Sequence, residues 1–180
     1  MALVKLKKSQ FIMFLDTAKD TTFAASVWAR IRKSTVFELG INPQSESREW
    51  IDSDTPEEEV TSNQPEMGQE CALYEGDPLF DFLYDMMLSL PSGEDVKVPY
   101  LACFGGSRQR AWRGIATILF DTLNSVDGKI TFTIKFNTVE QGTYTVVDGT
   151  PTFTVNGEEV NDNGDDNGDN GDDNGEVAQG

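Results

Sequence analysis

"KITFTIKFN", positions 129–137, most restricts what this 180-residue chain can become. Ile130, Phe132, Ile134 and Phe136 alternate with Lys129, Thr131, Thr133 and Lys135. A period of two belongs to a β-strand, because successive Cβ atoms point to opposite faces. The apolar set predicts one face on a core, and the polar set predicts the other facing water. "RAWRGIATILFD" reads the same way, with Trp112, Ala116, Ile118 and Phe120 on one face. "VKVPYLACF" precedes it, and "GTYTVVDGTPTFTV" closes the domain as a hairpin around Asp148-Gly149, a dipeptide suited to a two-residue turn.

Earlier segments carry weaker patterns. "WARIRKSTVFELGIN" (28–42) mixes β-branched and aromatic residues, and "QECALYE" (69–75) reads as a returning strand. "PQSESREWI" (43–51) reads as a polar turn leading into Trp50 and Ile51. Asp52 to Gly68 is acidic, holds Pro56 and Pro65, and reads as an extended excursion with a short strand near Glu59 to Ser62.

One helix is expected. Asp77 suits an N-cap and Pro78 the first helical position. Leu79, Phe80, Leu83, Met86, Met87 and Leu90 recur at spacings of three and four, with Phe82 beside them. Asp81, Asp85 and Ser89 mark the other side, and "PSG" ends the element. Many strands, one helix and no βαβ rhythm predict a mainly β domain. It should be a β-sandwich or partial barrel of antiparallel strands with one flanking α-helix.

The formal charge is −17. Residues 158–180 hold nine acids and no Lys or Arg, leaving twenty-two acids against fourteen bases, a net −8, on the remainder. Such a surface repels nucleic acid, whose affinity for proteins comes mostly from Lys and Arg. The expected division is a domain over 1–155 and a disordered Asp/Asn/Gly-rich acidic tail over 156–180. "NDNGDDNGDNGDDNG" (161–175) resembles calcium loops, but Asn163 and Asn170 stand where an EF-hand places Asp. Asn174 also occupies the twelfth position counted from Asn163, where a chelating Glu belongs. With almost no apolar residue, the tail reads as solvated chain and not as a metal site.

Candidate chemistry is sparse. Histidine is absent, which excludes His triads and His-ligated zinc. Cys71 and Cys103 read as small buried hydrophobes, reduced. "CFGGSRQR" offers a Gly-rich stretch but no following helix, so it reads as a hairpin turn. Glu57, Glu58 and Glu59 read as a solvated edge. The run Phe11 to Leu15 is too short for a secretory segment and ends at Asp16, so a soluble chain without a membrane span is expected. Neither an enzyme nor a cofactor is expected.

Three stretches in order carry a resemblance: "MALVKLKKSQFIMFLD", "WARIRKSTVFELGINPQSESREWID" and "YEGDPLFDFLYDMM". Within them, ST-x-F-E-L-x-x-N-P (34–43) and G-D-P-x-F-D-F (76–82) are specific as a pair. On these the chain, over roughly residues 1–155, resembles the major tail tube proteins of long-tailed (siphovirus-type) bacteriophages.

The resemblance implies a virion structural protein, made in the host cytoplasm, that self-assembles into stacked hexameric rings. Those rings would form a tail tube through which phage DNA passes without specific binding. Implied partners are other copies of the chain and the tape-measure, tail-terminator and distal tail proteins, with no membrane. Pro43 to Gly68 matches the family's stacking loop in position, which makes Pro43, Glu46, Arg48, Trp50, Ile51, Glu57, Glu58 and Glu59 candidate self-assembly residues. Lys129, Thr131, Thr133 and Lys135 become a candidate lumen-facing strand. Two other readings stay open: a tube protein of a contractile or secretion-type injector, and an acidic β-domain binding calcium or a cationic partner through its tail.

Overall fold

The computed structural model describes residues 3, 5–52 and 55–156. The acidic segment expected to be disordered lies, from residue 157 onward, outside the described residues. The strands are β1 (Ile12–Asp16), β2 (Trp28–Arg30), β3 (Glu38–Gly40), β4 (Pro43–Arg48), β5 (Glu57–Asn63) and β6 (Glu66–Ala72). After helix α1 (Pro78–Leu88) follow β7 (Lys97–Phe104), β8 (Arg110–Asn124), β9 (Lys129–Phe136), β10 (Glu140–Val147) and β11 (Thr150–Val155). Among the described residues the protein is mainly β, its strand pairs all antiparallel, with the one α-helix expected.

The main sheet runs β2-β1-β7-β8-β9-β6-β3. Its two ends are consecutive in the chain, joined by residues 31–37. That connector stays hydrogen-bonded along its course. Ile31 N–H donates to Met13 O at 2.8 Å, Thr35 N–H donates to Glu70 O at 2.9 Å, and Ala72 N–H donates to Lys33 O at 3.3 Å. The Trp28–Asn42 segment is thus two short strands and a bridge that ties both edges of the sheet together. The sheet closes toward a barrel, and closure removes unpaired edges.

β8 explains the remaining topology. Its residues 116–124 pair with β9 and its residues 110–113 pair with β10, so β9 and β10 lie end to end along one side. Beyond them the sheet divides, with β6 pairing to β9 and β11 to β10. The extra residue at Asp121 shifts the β8–β9 register between Phe120 and Thr122, the signature of a β-bulge. Asp148 (φ 51°) and Gly149 (φ 84°) form the expected turn between β10 and β11, both in the left-handed region that a type I′ turn requires.

The inner face holds the larger core. Leu15, Met67, Val98, Ile118, Phe132 and Ile134 are fully buried there, and Leu79, Leu83 and Met86 of α1 cap it. Burying each such side chain stabilises by roughly 1.5–3 kcal/mol. The helix begins as expected, with Asp77 accepting from Leu79 N–H at 3.0 Å and Phe80 N–H at 3.2 Å. Leu90 departs from the expected stripe. The helix ends at Leu88, and Leu90 takes φ 50° and is 86% exposed. The apolar spacing continues one step past the point where the backbone leaves helical geometry.

A smaller cluster lies on the opposite face, where Phe14, Leu101, Cys103 and Ala111 meet Tyr144 and Phe153 from the β10–β11 hairpin. Asp16 is buried at the end of β1 and accepts from Ala18 N–H at 3.0 Å, Asp20 N–H at 2.8 Å and Val27 N–H at 2.7 Å. In sequence it only ends an apolar run. In the fold it organises the 17–27 loop.

Candidate assembly surfaces

β4 and β5 form a separate two-stranded sheet, an arm growing out of the β3–β6 pair. "PQSESREWI" is therefore not a turn over its first six residues but a strand. The expected short strand near Glu59 to Ser62 is β5, seven residues long. All strand residues of the arm are exposed. With no buried face there is no apolar alternation to betray β4, which is why the sequence reads as turn. The arm is rooted where Gln64 N–H donates to Ile41 O at 3.1 Å and Asn42 Nδ2 donates to Gln64 O at 3.2 Å.

The pairing register brings the candidate arm residues together. Pro43 faces Asn63 at the root, Glu46 faces Glu59, and Arg48 faces Glu57. Like charges directly opposite each other destabilise a strand pair. Arg48 offsets this, lying 3.3 Å from the Glu59 carboxylate and 3.8 Å from that of Glu46. Trp50 Nε1 donates to Glu57 Oε2 at 3.2 Å, yet its side chain stays half exposed, and Ile51 is fully exposed. Glu58 falls on the other arm face with Val60, which is also exposed. A lone two-stranded hairpin is marginally stable in water, and this one displays Trp50, Ile51 and Val60 to solvent.

The second surface is the outer face of β9. Ile130, Phe132, Ile134 and Phe136 point into the core as expected. Lys129, Thr131, Thr133 and Lys135 share the opposite face. Two glutamates of β6, which sequence reading missed, face the lysines. Lys129 Nζ donates to Glu70 Oε1 at 2.6 Å, and Lys135 Nζ lies 3.7 Å from Glu66 Oε2. The Lys129 hydrogen bond, with a second from Thr35, holds the Glu70 carboxyl below its usual pKa. The same bond to Glu70 raises Lys129. Thr131 and Thr122 hydroxyls bond to each other across the β8–β9 bulge at 2.6 Å. The signal for Glu66 and Glu70 was their pairing register with β9, which no local pattern records.

Two further features brace the fold. Arg113 donates from Nε (2.9 Å) and Nη2 (2.6 Å) to Glu140 Oε2. Its guanidinium also packs between the Phe23 and Phe153 rings, 4.6 and 4.4 Å from their centroids. Cys71 and Cys103 are both free and buried, in different clusters on opposite faces. Burial pushes the Cys71 thiol up to about 11 and the Cys103 thiol up to about 12. "GGSRQ" is the expected hairpin turn between β7 and β8.

No family model and no curated protein matches the sequence. Among solved structures, the fold is similar to a chain in the cryo-EM structure of the anti-feeding prophage (AFP) baseplate, 6-fold symmetrised. The TM-score is 0.44 and the identity 8%, over 79% of this chain and 98% of that chain.

Proposed function

We propose that this chain is a structural subunit of a phage tail tube, assembling with copies of itself into stacked hexameric rings around a DNA conduit. The observation that carries the reading is the arm. Thirteen strand residues, six in β4 and seven in β5, are all exposed and project outside the core of the main sheet. Ordered β-structure that buries nothing within its own chain is stabilised by a neighbour, and Trp50 and Ile51 at its tip are of the type that anchors interfaces.

The β9 face supports the conduit. A wall that passes DNA must not hold it, and lysines engaged by Glu70 and Glu66 present little free positive charge. In this reading Lys129, Thr131, Thr133 and Lys135 face the lumen. The tape-measure, tail-terminator and distal tail proteins would be partners at its interior and ends, and no catalysis is required.

Negative-stain microscopy of concentrated protein tests the proposal. Rings or tubes with a central channel are expected. A strict monomer in sedimentation at high concentration, with no ordered particle on the grid, would reject it.

A further inference from the structure

Nine of the fourteen Lys and Arg residues fall into two groups. Arg48, Lys97, Arg113, Lys129 and Lys135 each sit in an ion pair. Lys8, Arg30, Arg32 and Lys33 do not, among the described residues, yet they line one cleft of about 930 Å³. Lys33 stands over the Tyr74 ring, 5.8 Å from its centroid. The cleft lies against the 31–37 connector, and its floor includes Phe11 and Phe37, whose rings stand 5.9 Å apart. In a chain of net charge −17, a concave site with four unpaired cations over aromatic residues is an acceptor for acidic, partly apolar chain.

The arm has the complementary chemistry. Between residues 43 and 63 there are seven acids and one base, Arg48, together with Trp50, Ile51 and Val60. We infer that the acidic arm of one copy docks in the Lys8–Arg30–Arg32–Lys33 cleft of the next. This deepens the tube proposal by naming the receptor for its stacking element. Where the arm of one copy enters the next copy's cleft without a return contact, the interface is heterologous, and it closes a ring or extends a stack. The aromatic floor takes the apolar tip, and the cations take Glu57, Glu58 and Glu59. Acidic segments without large apolar side chains match the charge but not the aromatic lining. The chain's own residues 157–180 hold nine acids but only two aliphatic side chains larger than alanine, Val160 and Val177.

Charge exchange in the full-length protein tests this. Arg32→Glu with Lys33→Glu, and separately Glu57→Lys with Glu58→Lys, should each raise the concentration needed for assembly by about tenfold or more, as charged interface pairs do when reversed. The chain carrying all four substitutions should assemble again, and an equimolar mixture of the two double variants should co-assemble. All four sites are exposed, so the main thermal transition should match the wild type. Glu57→Lys also sets a lysine opposite Arg48 and removes the Trp50 acceptor, so Glu58→Lys alone is the variant that leaves the arm's pairing intact. If a reversed variant fails to fold, Arg32→Gln with Lys33→Gln replaces it, with the same loss expected.

Wild-type tubes that form equally well with either double variant would overturn the docking while leaving the tube proposal standing. Loss without rescue by the fourfold variant would show that arm and cleft do not meet. Assembly lost on deleting residues 157–180 but indifferent to Glu57→Lys and Glu58→Lys would give the cleft to the acidic C-terminal segment, again overturning the docking. A wild type that stays monomeric overturns both proposals.

Discussion

Lys129 of β9 reaches across to Glu70 of β6 with its ammonium 2.6 Å from Oε1, on the sheet face turned away from the core. Both groups are partly exposed, so the bond matters for surface charge more than for stability. Glu70 is held below its usual pKa of 4.5, so its contribution is present above that value and fades as pH falls through the lowered one. Lys129 is raised above 10.5, so its share is present below that value and is lost at more alkaline pH. Comparing melting temperatures of wild type and Glu70→Gln across pH should show a small gap between these limits that closes at acid pH. A gap that widens on acidification would contradict the pairing.

Gly114 and Gly68 make a matched pair of tests. A Cβ on Gly114 would collide with the Thr138 backbone carbonyl, which also accepts from the buried Tyr100 hydroxyl at 2.9 Å. Nothing lies within 4 Å of a Cβ on Gly68. Gly114→Ala should destabilise by about 1–3 kcal/mol, the usual range for overpacking. Gly68→Ala should stay within about 0.5 kcal/mol of wild type, as surface changes do. Chemical denaturation of both variants decides it.

Trp50→Ala and Ile51→Ala should leave the thermal transition of the subunit where it is and raise the concentration needed for assembly. Trp50 is 50% exposed and Ile51 touches no core, so neither change opens a cavity. A collapsed transition in either variant would place these residues in the fold and not at an interface.

Cys71 and Cys103 should resist alkylation in the native protein at pH 8 and react together on unfolding. Thiols raised to about 11 and about 12 hold little thiolate at that pH, and both are buried. Mass spectrometry after a timed iodoacetamide pulse reads the outcome. Rapid native labelling of either cysteine would show local opening of its cluster.

Deleting residues 161–180 should change neither the melting temperature nor tube formation beyond a charge effect. The segment carries seven acids and no base, so its removal should ease assembly at low salt. The difference should vanish at high salt, as the Debye length shrinks from ~30 Å at 0.01 M to ~3 Å at 1 M. Calcium should raise the melting temperature little, because stabilisation by a ligand requires a folded site. A large calcium-dependent shift that disappears on truncation would mean that the segment folds around metal.

What the sequence determined by itself was every element that lives between two environments. Ile130 to Phe136 alternates because one side meets a core and the other does not, and Leu79, Leu83 and Met86 recur because one stripe of α1 is buried. Asp77 and Asp148-Gly149 were legible for a related reason, since a cap and a tight turn are satisfied within a few residues. The arm left no such record. Pro43 to Arg48 sees solvent on both faces, so its residues alternate nothing, and only pairing with Glu57 to Asn63 makes them a strand.

Glu70 lies fifty-nine residues from Lys129 in sequence, and only the pairing of β6 with β9 sets it beside the ammonium. The connector at residues 31–37, which joins both sheet edges and walls the cationic cleft, is likewise defined by contacts with Met13 and Glu70 and not by its own pattern. Local periodicity reports what a segment buries. Register and closure depend on which distant segment lies alongside, and the tertiary structure alone decided them.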